Sequence, residues 1–147
     1  MKISKELSNG ALIFGGVALY FFLMELLGLS NIYYLRTLNV LIVFYGINRT
    51  FKQNISEKKI GFLSNLISGG LTGALGIFMS FFGLLFYIYL RGGESYLNTL
   101  SSEFFLTGGK GSINEYCFGI LFEGLASVVI VVLITMLLWS DKTSTND

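Results

Sequence analysis

The sequence predicts an all-α protein, an integral-membrane four-helix bundle with a short amphipathic helix in its outer loop. Three observations lead there. The chain is 53% hydrophobic and only 13% charged, about half the charge of a soluble domain, with a mean hydropathy of +0.69. Four apolar stretches, about residues 10–29, 32–50, 62–90 and 115–139, each approach the roughly 20 residues needed to cross a ~30 Å hydrocarbon core. The third, Phe62 to Leu90, runs for 29 residues without one charged side chain. With 147 residues there is room for a single domain.

The first stretch, Gly10 to Leu29, follows Lys2 and Lys5. Lysines before an apolar run also describe a signal peptide. This run is too long for one, and Glu25-Leu26-Leu27-Gly28-Leu29 offers no small-x-small cleavage site, so a retained anchor is expected. Ser30-Asn31 allows only a tight turn before the second stretch, which makes the pair an antiparallel hairpin. Phe51 to Gly61 reads as a polar loop carrying Lys52, Lys58 and Lys59.

The third stretch carries a stripe of small or polar residues: Asn65, Gly69, Gly73, Gly76, Ser80, Gly83 and Tyr87. Steps of three and four place them on one helix face. In lipid, small residues let another helix backbone approach closely, so the stripe predicts a packing seam, with Asn65 donating an interhelical hydrogen bond. Beyond it, Tyr96, Leu97, Leu100, Phe104 and Phe105 recur opposite Glu94, Asn98, Ser101 and Ser102, the pattern of a helix lying on a membrane surface. Gly108-Gly109-Lys110-Gly111 lacks the phosphate-loop spacing and reads as a connector. The fourth stretch ends at Trp139, a suitable interfacial anchor, and residues 140–147 read as a flexible tail.

Positive charge sets the expected orientation. Lys2, Lys5, Arg49, Lys52, Lys58, Lys59 and Lys142 fall on one side, Arg91 and Lys110 on the other. That bias places both termini in the cytoplasm and the chain in the cell's inner (plasma) membrane as a multi-pass protein. Asn48-Arg49-Thr50 and Asn54-Ile55-Ser56 match the glycosylation pattern but would face the wrong compartment.

Three ionisable residues lie within the predicted spans: Glu25, Arg36 and Glu123. A charge at the bilayer centre costs roughly 2.5–3.5 kcal/mol on insertion scales, so each needs a partner, water or a function. Glu25 and Arg36 are nearly equidistant from the hairpin turn, which predicts similar depth. They read as a structural ion pair locking the hairpin, or as Arg36 snorkelling to head groups, with a polar site for an ion or anionic ligand as the functional alternative. Glu123 shares a face with Gly119, Ala126 and Ser127 and points inward, toward a second-span face of Arg36, Asn39, Val43, Gly46 and Thr50. The expectation is one intramembrane polar cluster of Glu25, Arg36, Asn39 and Glu123. Two carboxylates around one guanidinium would leave surplus negative charge and favour binding of a proton, as a proton-coupled carrier requires. A purely structural cluster has the same composition.

Other chemistry has little material. There is no histidine, no aspartate before Asp141 and one cysteine, Cys117. Ordinary zinc, haem and cysteine–histidine sites are therefore unavailable. No nucleophile–base pair or cofactor motif is present, and a net charge of +1 gives no bulk attraction to nucleic acid. The reading is a non-enzymatic membrane protein without metal or cofactor. Its expected partners are the lipid bilayer and another membrane protein or a second copy of itself. The alternative is a small ion- or proton-coupled transporter or channel using Glu25, Arg36 and Glu123.

The four-span layout, the longer outer loop and the phrase Ser68-Gly69-Gly70-Leu71-Thr72-Gly73 resemble a group of small bacterial inner-membrane proteins classed as a domain of unknown function. The resemblance covers about Asn9 to Trp139. It implies a four-helix membrane bundle and supplies no activity. Small multidrug exporters also use four spans and a first-span glutamate, but Glu25 lies near the outer end of its span and the outer loop here is larger.

Overall fold

The computed structural model describes residues 4–59, 61–100 and 112–143. The fold is helical, with no strand among the described residues. Helix α1 spans Lys5–Leu26, α2 Tyr33–Thr37, α3 Asn39–Ser56, α4 Phe62–Leu90, α5 Glu94–Leu97, α6 Ile113–Leu138 and α7 Ser140–Thr143. Among the described residues, α1, α4 and α6 are long and apolar enough to cross a membrane, which points to a membrane protein. Helix α3 lacks that apolarity, because Asn48, Arg49, Lys52, Gln53 and Asn54 occupy its second half.

Local chemistry sets the ends. Ser4 caps α1 by accepting from the Leu7 amide at 3.3 Å. Ser112 and Glu115 form a reciprocal capping box at the start of α6. Gly28 closes α1 in the left-handed region at φ 70°, with its amide on the Glu25 carbonyl and the Leu29 amide on the Met24 carbonyl. Lys58 makes the same closure after α3 at φ 57°, with no glycine to relieve it.

The second predicted stretch departs from expectation in two places. It is interrupted at Leu38, where the Leu38 amide reaches Leu35 O and the Leu41 amide reaches Leu38 O. These i to i+3 bonds tighten one turn and re-phase the helix between Arg36 and Asn39. Helix α3 also continues to Ser56, through most of the expected Phe51–Gly61 loop. Phe51 and Asn54 continue a buried face begun by Ile47 and Thr50, and that face holds the extra turns in place. Residues 140–147, expected as a flexible tail, begin with the short helix α7. The expected surface helix is not seen over its described part, residues 94–100, where the helix is only four residues long and Leu100 is buried; its remainder, from residue 101 on, lies outside the described residues. That four-residue helix is α5, whose Tyr96 turns into the protein and is buried.

Helices α3 and α4 both pack against α1 and α6 as well as against each other. Glu6 meets Ser68 and Ile13 meets Gly76, so α1 and α4 run parallel. Gly46 meets Ile13, Thr50 meets Thr72 and Gly73 meets Val128, so α3 and α6 run the other way. Ile13, Val43, Ile47, Phe51, Ile77 and Val128 fill the core. Outward faces carry Leu19, Phe22, Ile67, Phe82, Phe86, Phe122 and Leu137, all exposed. So much contiguous apolar surface suits lipid and would be a liability in water.

Candidate functional site

The polar side chains gather at the two ends of the bundle. At the end holding the α1–α2 turn, Glu25 and Arg36 do not pair. Glu25 accepts from the hydroxyl of Tyr87, from the Tyr96 hydroxyl at 3.0 Å and from Arg91 Nη2 at 3.2 Å. The Arg91 guanidinium also lies over both rings, 5.9 Å from the centroid of Tyr87 and 5.5 Å from that of Tyr96. Burial, and then the Glu25 carboxylate, push the Tyr96 hydroxyl well above the usual tyrosine range, so it remains a donor. Arg36 instead donates to Glu123 Oε2 at 3.2 Å and lies 4.9 Å over the Tyr33 ring.

The expected four-residue cluster is thus divided. Arg36 and Glu123 meet; Glu25 belongs to a second group; Asn39 takes part in neither ion pair, and its side-chain oxygen is enclosed without a hydrogen-bond partner among the described residues. The packing explains the division. Helices α1 and α6 each pack against α3 and α4 but hardly against each other, so Glu25 on α1 finds the end of α4 and Arg36 on α2 finds α6. Each carboxylate has its own guanidinium, which removes the surplus charge that two carboxylates around one arginine would create.

The opposite end holds a polar network that the sequence reading largely missed. Asn9 Nδ2 donates to Thr50 Oγ1 and to Gln53 Oε1, both at 2.8 Å. The Thr50 and Thr72 hydroxyls share a bond of 2.9 Å, and Thr72 donates to Ser68 O at 2.9 Å. Ser68 donates its hydroxyl to Glu6 Oε1 at 2.7 Å. Asn54 Nδ2 donates to Asn65 Oδ1, and Asn65 Nδ2 to Gly61 O, both at 2.9 Å. Asn9, Thr50, Asn54, Asn65 and Thr72 are all buried. Trp139 Nε1 donates to Asn48 Oδ1 at 2.8 Å and ties in α6. The signal was present in Asn9, Gly46, Thr50 and Thr72, each polar or small on an otherwise apolar face. The two glycosylation-like matches dissolve here: Asn54 and Thr50 are core residues and Asn48 serves Trp139.

The small-residue stripe of α4 faces the chain's own helices. Asn65, Gly69, Gly73 and Gly76 are buried; Ser80, Gly83 and Tyr87 are half-buried. A Cβ on Gly69 would meet Phe51 at 2.6 Å, on Gly73 Val128 at 2.5 Å, on Gly76 Ile13 at 2.7 Å and on Gly83 Phe14 at 2.8 Å. Helices α1, α3 and α6 therefore all press on this one face. Cys117 is fully buried, which removes it from lipidation or redox exchange in the folded state. No three His, Cys, Asp or Glu side chains gather into a metal site among the described residues.

No family model matches the chain. Neither a curated protein nor a solved structure shows significant similarity to it. The layout resemblance therefore brings no functional residue with it, and the chemistry of the two polar ends is the material for a functional reading.

Proposed function

We propose that this chain is a non-enzymatic, four-span protein of the inner (plasma) membrane, with both termini cytoplasmic and an accessory or structural role. In this reading α3, with α2 leading into it, is the fourth span, and the lysine-rich end of the bundle is the cytoplasmic one. The observation that supports the role best is the pairing of charge: Arg36 with Glu123, and Arg91 with Glu25. Charges matched one to one hold helices in register; they leave no surplus charge to work with. Because the glycine face of α4 is filled from within, contacts with another membrane protein or a second copy would use the outward apolar faces. Native-mass measurement of the protein extracted from its own membranes in mild detergent tests this. A defined complex of fixed stoichiometry supports the accessory role; a strictly monomeric, partnerless particle refutes it.

A carrier is the second reading, favoured by one observation. The Arg36 and Glu123 side chains remain 19% and 21% exposed, within reach of a small ion. Flux in proteoliposomes, with Glu123→Gln as control, tests it. Normal folded yield with abolished flux supports a carrier; absence of flux in the unsubstituted protein refutes it.

A further inference from the structure

At the end of the bundle that holds the α1–α2 turn, the chain folds back over itself after α4. Helix α4 stops at Leu90, and the reversal runs through Gly92 and Gly93 at φ 116° and 65°. Side chains with a Cβ avoid both angles, so the turn uses two glycines in a row. The Gly93 amide returns to Ile88 O at 2.9 Å, and α5 follows as a single turn. A helix this short has no stability of its own and keeps its shape through what it touches.

What it touches is the core. Tyr96 and Leu100 are buried in the same apolar cluster as Ile88, Ile113 and Cys117. A Cβ on Gly93 would stand 3.7 Å from Ile113 Cδ1. Cys117 lies one turn further along α6 on the same face and is fully buried. The tie to α1 is the Tyr96 hydroxyl, which donates to Glu25 at 3.0 Å. Arg91 also reaches Glu25, but its side chain is 55% exposed, and an ion pair so open to water contributes little.

We propose that residues 92–100 form a hinged strap that opens while the rest of the bundle stays folded. Gly92 and Gly93 are the hinge, and the Tyr96 hydroxyl on Glu25 is the catch. Local opening selects segments that bury little. The strap buries Tyr96 and Leu100, whereas α1, α3, α4 and α6 interlock along their length at Gly46, Gly69, Gly73 and Gly76. The strap therefore releases first. Shut, it keeps water from this end of the core; open, it bares Ile88, Ile113 and Cys117. The device is independent of the accessory and carrier readings.

Cys117 is the one cysteine of the chain, so its thiol reports the opening. The test is the rate at which methyl methanethiosulfonate modifies the full chain in detergent micelles, across denaturant concentrations below the unfolding transition. Val128→Cys in a Cys117→Ser background supplies the reference, a buried thiol in the middle of the same helix. The expected rate at Cys117 is nearly independent of denaturant, while the reference rate climbs steeply because only unfolding exposes it. Tyr96→Phe keeps the ring and removes the catch, and should speed modification of Cys117 about tenfold, the worth of one hydrogen bond to a charged group. A denaturant dependence at Cys117 as steep as that of unfolding overturns the proposal, and that measurement needs no variant to fold. A flat dependence with no acceleration in Tyr96→Phe overturns it too, because the opening would then leave Tyr96 in place.

Discussion

Replacing Gly76 by alanine probes a close approach of α1 and α4. A Cβ at Gly76 would lie 2.7 Å from Ile13 Cβ, 2.8 Å from Ile13 Cγ2 and 3.1 Å from the Gly10 carbonyl oxygen. A branch-point carbon and a backbone oxygen cannot rotate away, so α1 and α4 must separate. Overpacking of this kind costs roughly 1–3 kcal/mol. Against it stands the gain of about 1 kcal/mol for alanine over glycine within a helix. Gly70 supplies the control, because a Cβ there meets nothing within 4 Å and the substitution collects the helix gain alone. Gly76→Ala should therefore fall about 1–3 kcal/mol below Gly70→Ala in an unfolding titration in bicelles. Gly10→Ala meets Leu75 Cβ at 2.9 Å and the Gly76 amide nitrogen at 3.2 Å, and its cost should not add fully to that of Gly76→Ala, since one separation accommodates both. Equal stability of Gly76→Ala and Gly70→Ala would refute the reasoning.

Four further outcomes can be checked. Glu123→Gln should destabilise by roughly 1–3 kcal/mol by leaving Arg36 without its carboxylate, and Arg36→Gln/Glu123→Gln should recover part of it; a double-mutant cycle in the same titration reads the coupling. Asn54→Ala strips the Asn65 carbonyl of its buried donor and should cost about 2 kcal/mol, read as a lowered unfolding midpoint. Lys58→Gly should stabilise by about 0.5–1 kcal/mol, because glycine takes the left-handed conformation without the side-chain penalty; an unchanged midpoint would contradict this. Hydrogen bonds from Lys5 and then Lys59 hold the Glu57 carboxyl below its ordinary value of 4.5. A depressed acid stabilises above its unfolded value and loses that contribution as pH falls through its folded one. Glu57→Gln should therefore flatten the acid limb of a stability profile below about pH 4.5, and an unaltered limb would count against the pairing.

Much of the helical framework is legible in the residues, for a physical reason. An apolar run must satisfy its own backbone, so the uncharged stretch and helix α4 share the bounds Phe62 and Leu90. Ser112 with Glu115 likewise announces the start of α6. Less legible was α3, where polarity suggested a loop although Thr50, Phe51 and Asn54 bury one face. Charge pairing was hardest. Sequence distance from the turn gives Glu25 and Arg36 similar depth but says nothing about which neighbour each faces. Arg91 extends the Gly83–Tyr87 step by four more residues, and that continuation of the stripe was the available clue to Glu25's true partner. The buried amide network depends on three helices meeting, which no single stretch encodes.

The account turns on the glycine face of α4 being filled by helices of the same chain. Isotope-diluted NMR tests that most directly, by following the cross-peak between the Ile13 methyl groups and the Gly76 α-protons as labelled protein is mixed with unlabelled. A contact within one chain keeps its intensity per labelled molecule at every dilution, which is the predicted result. Intensity that falls in proportion to the labelled fraction would place Ile13 and Gly76 on different molecules and contradict the account.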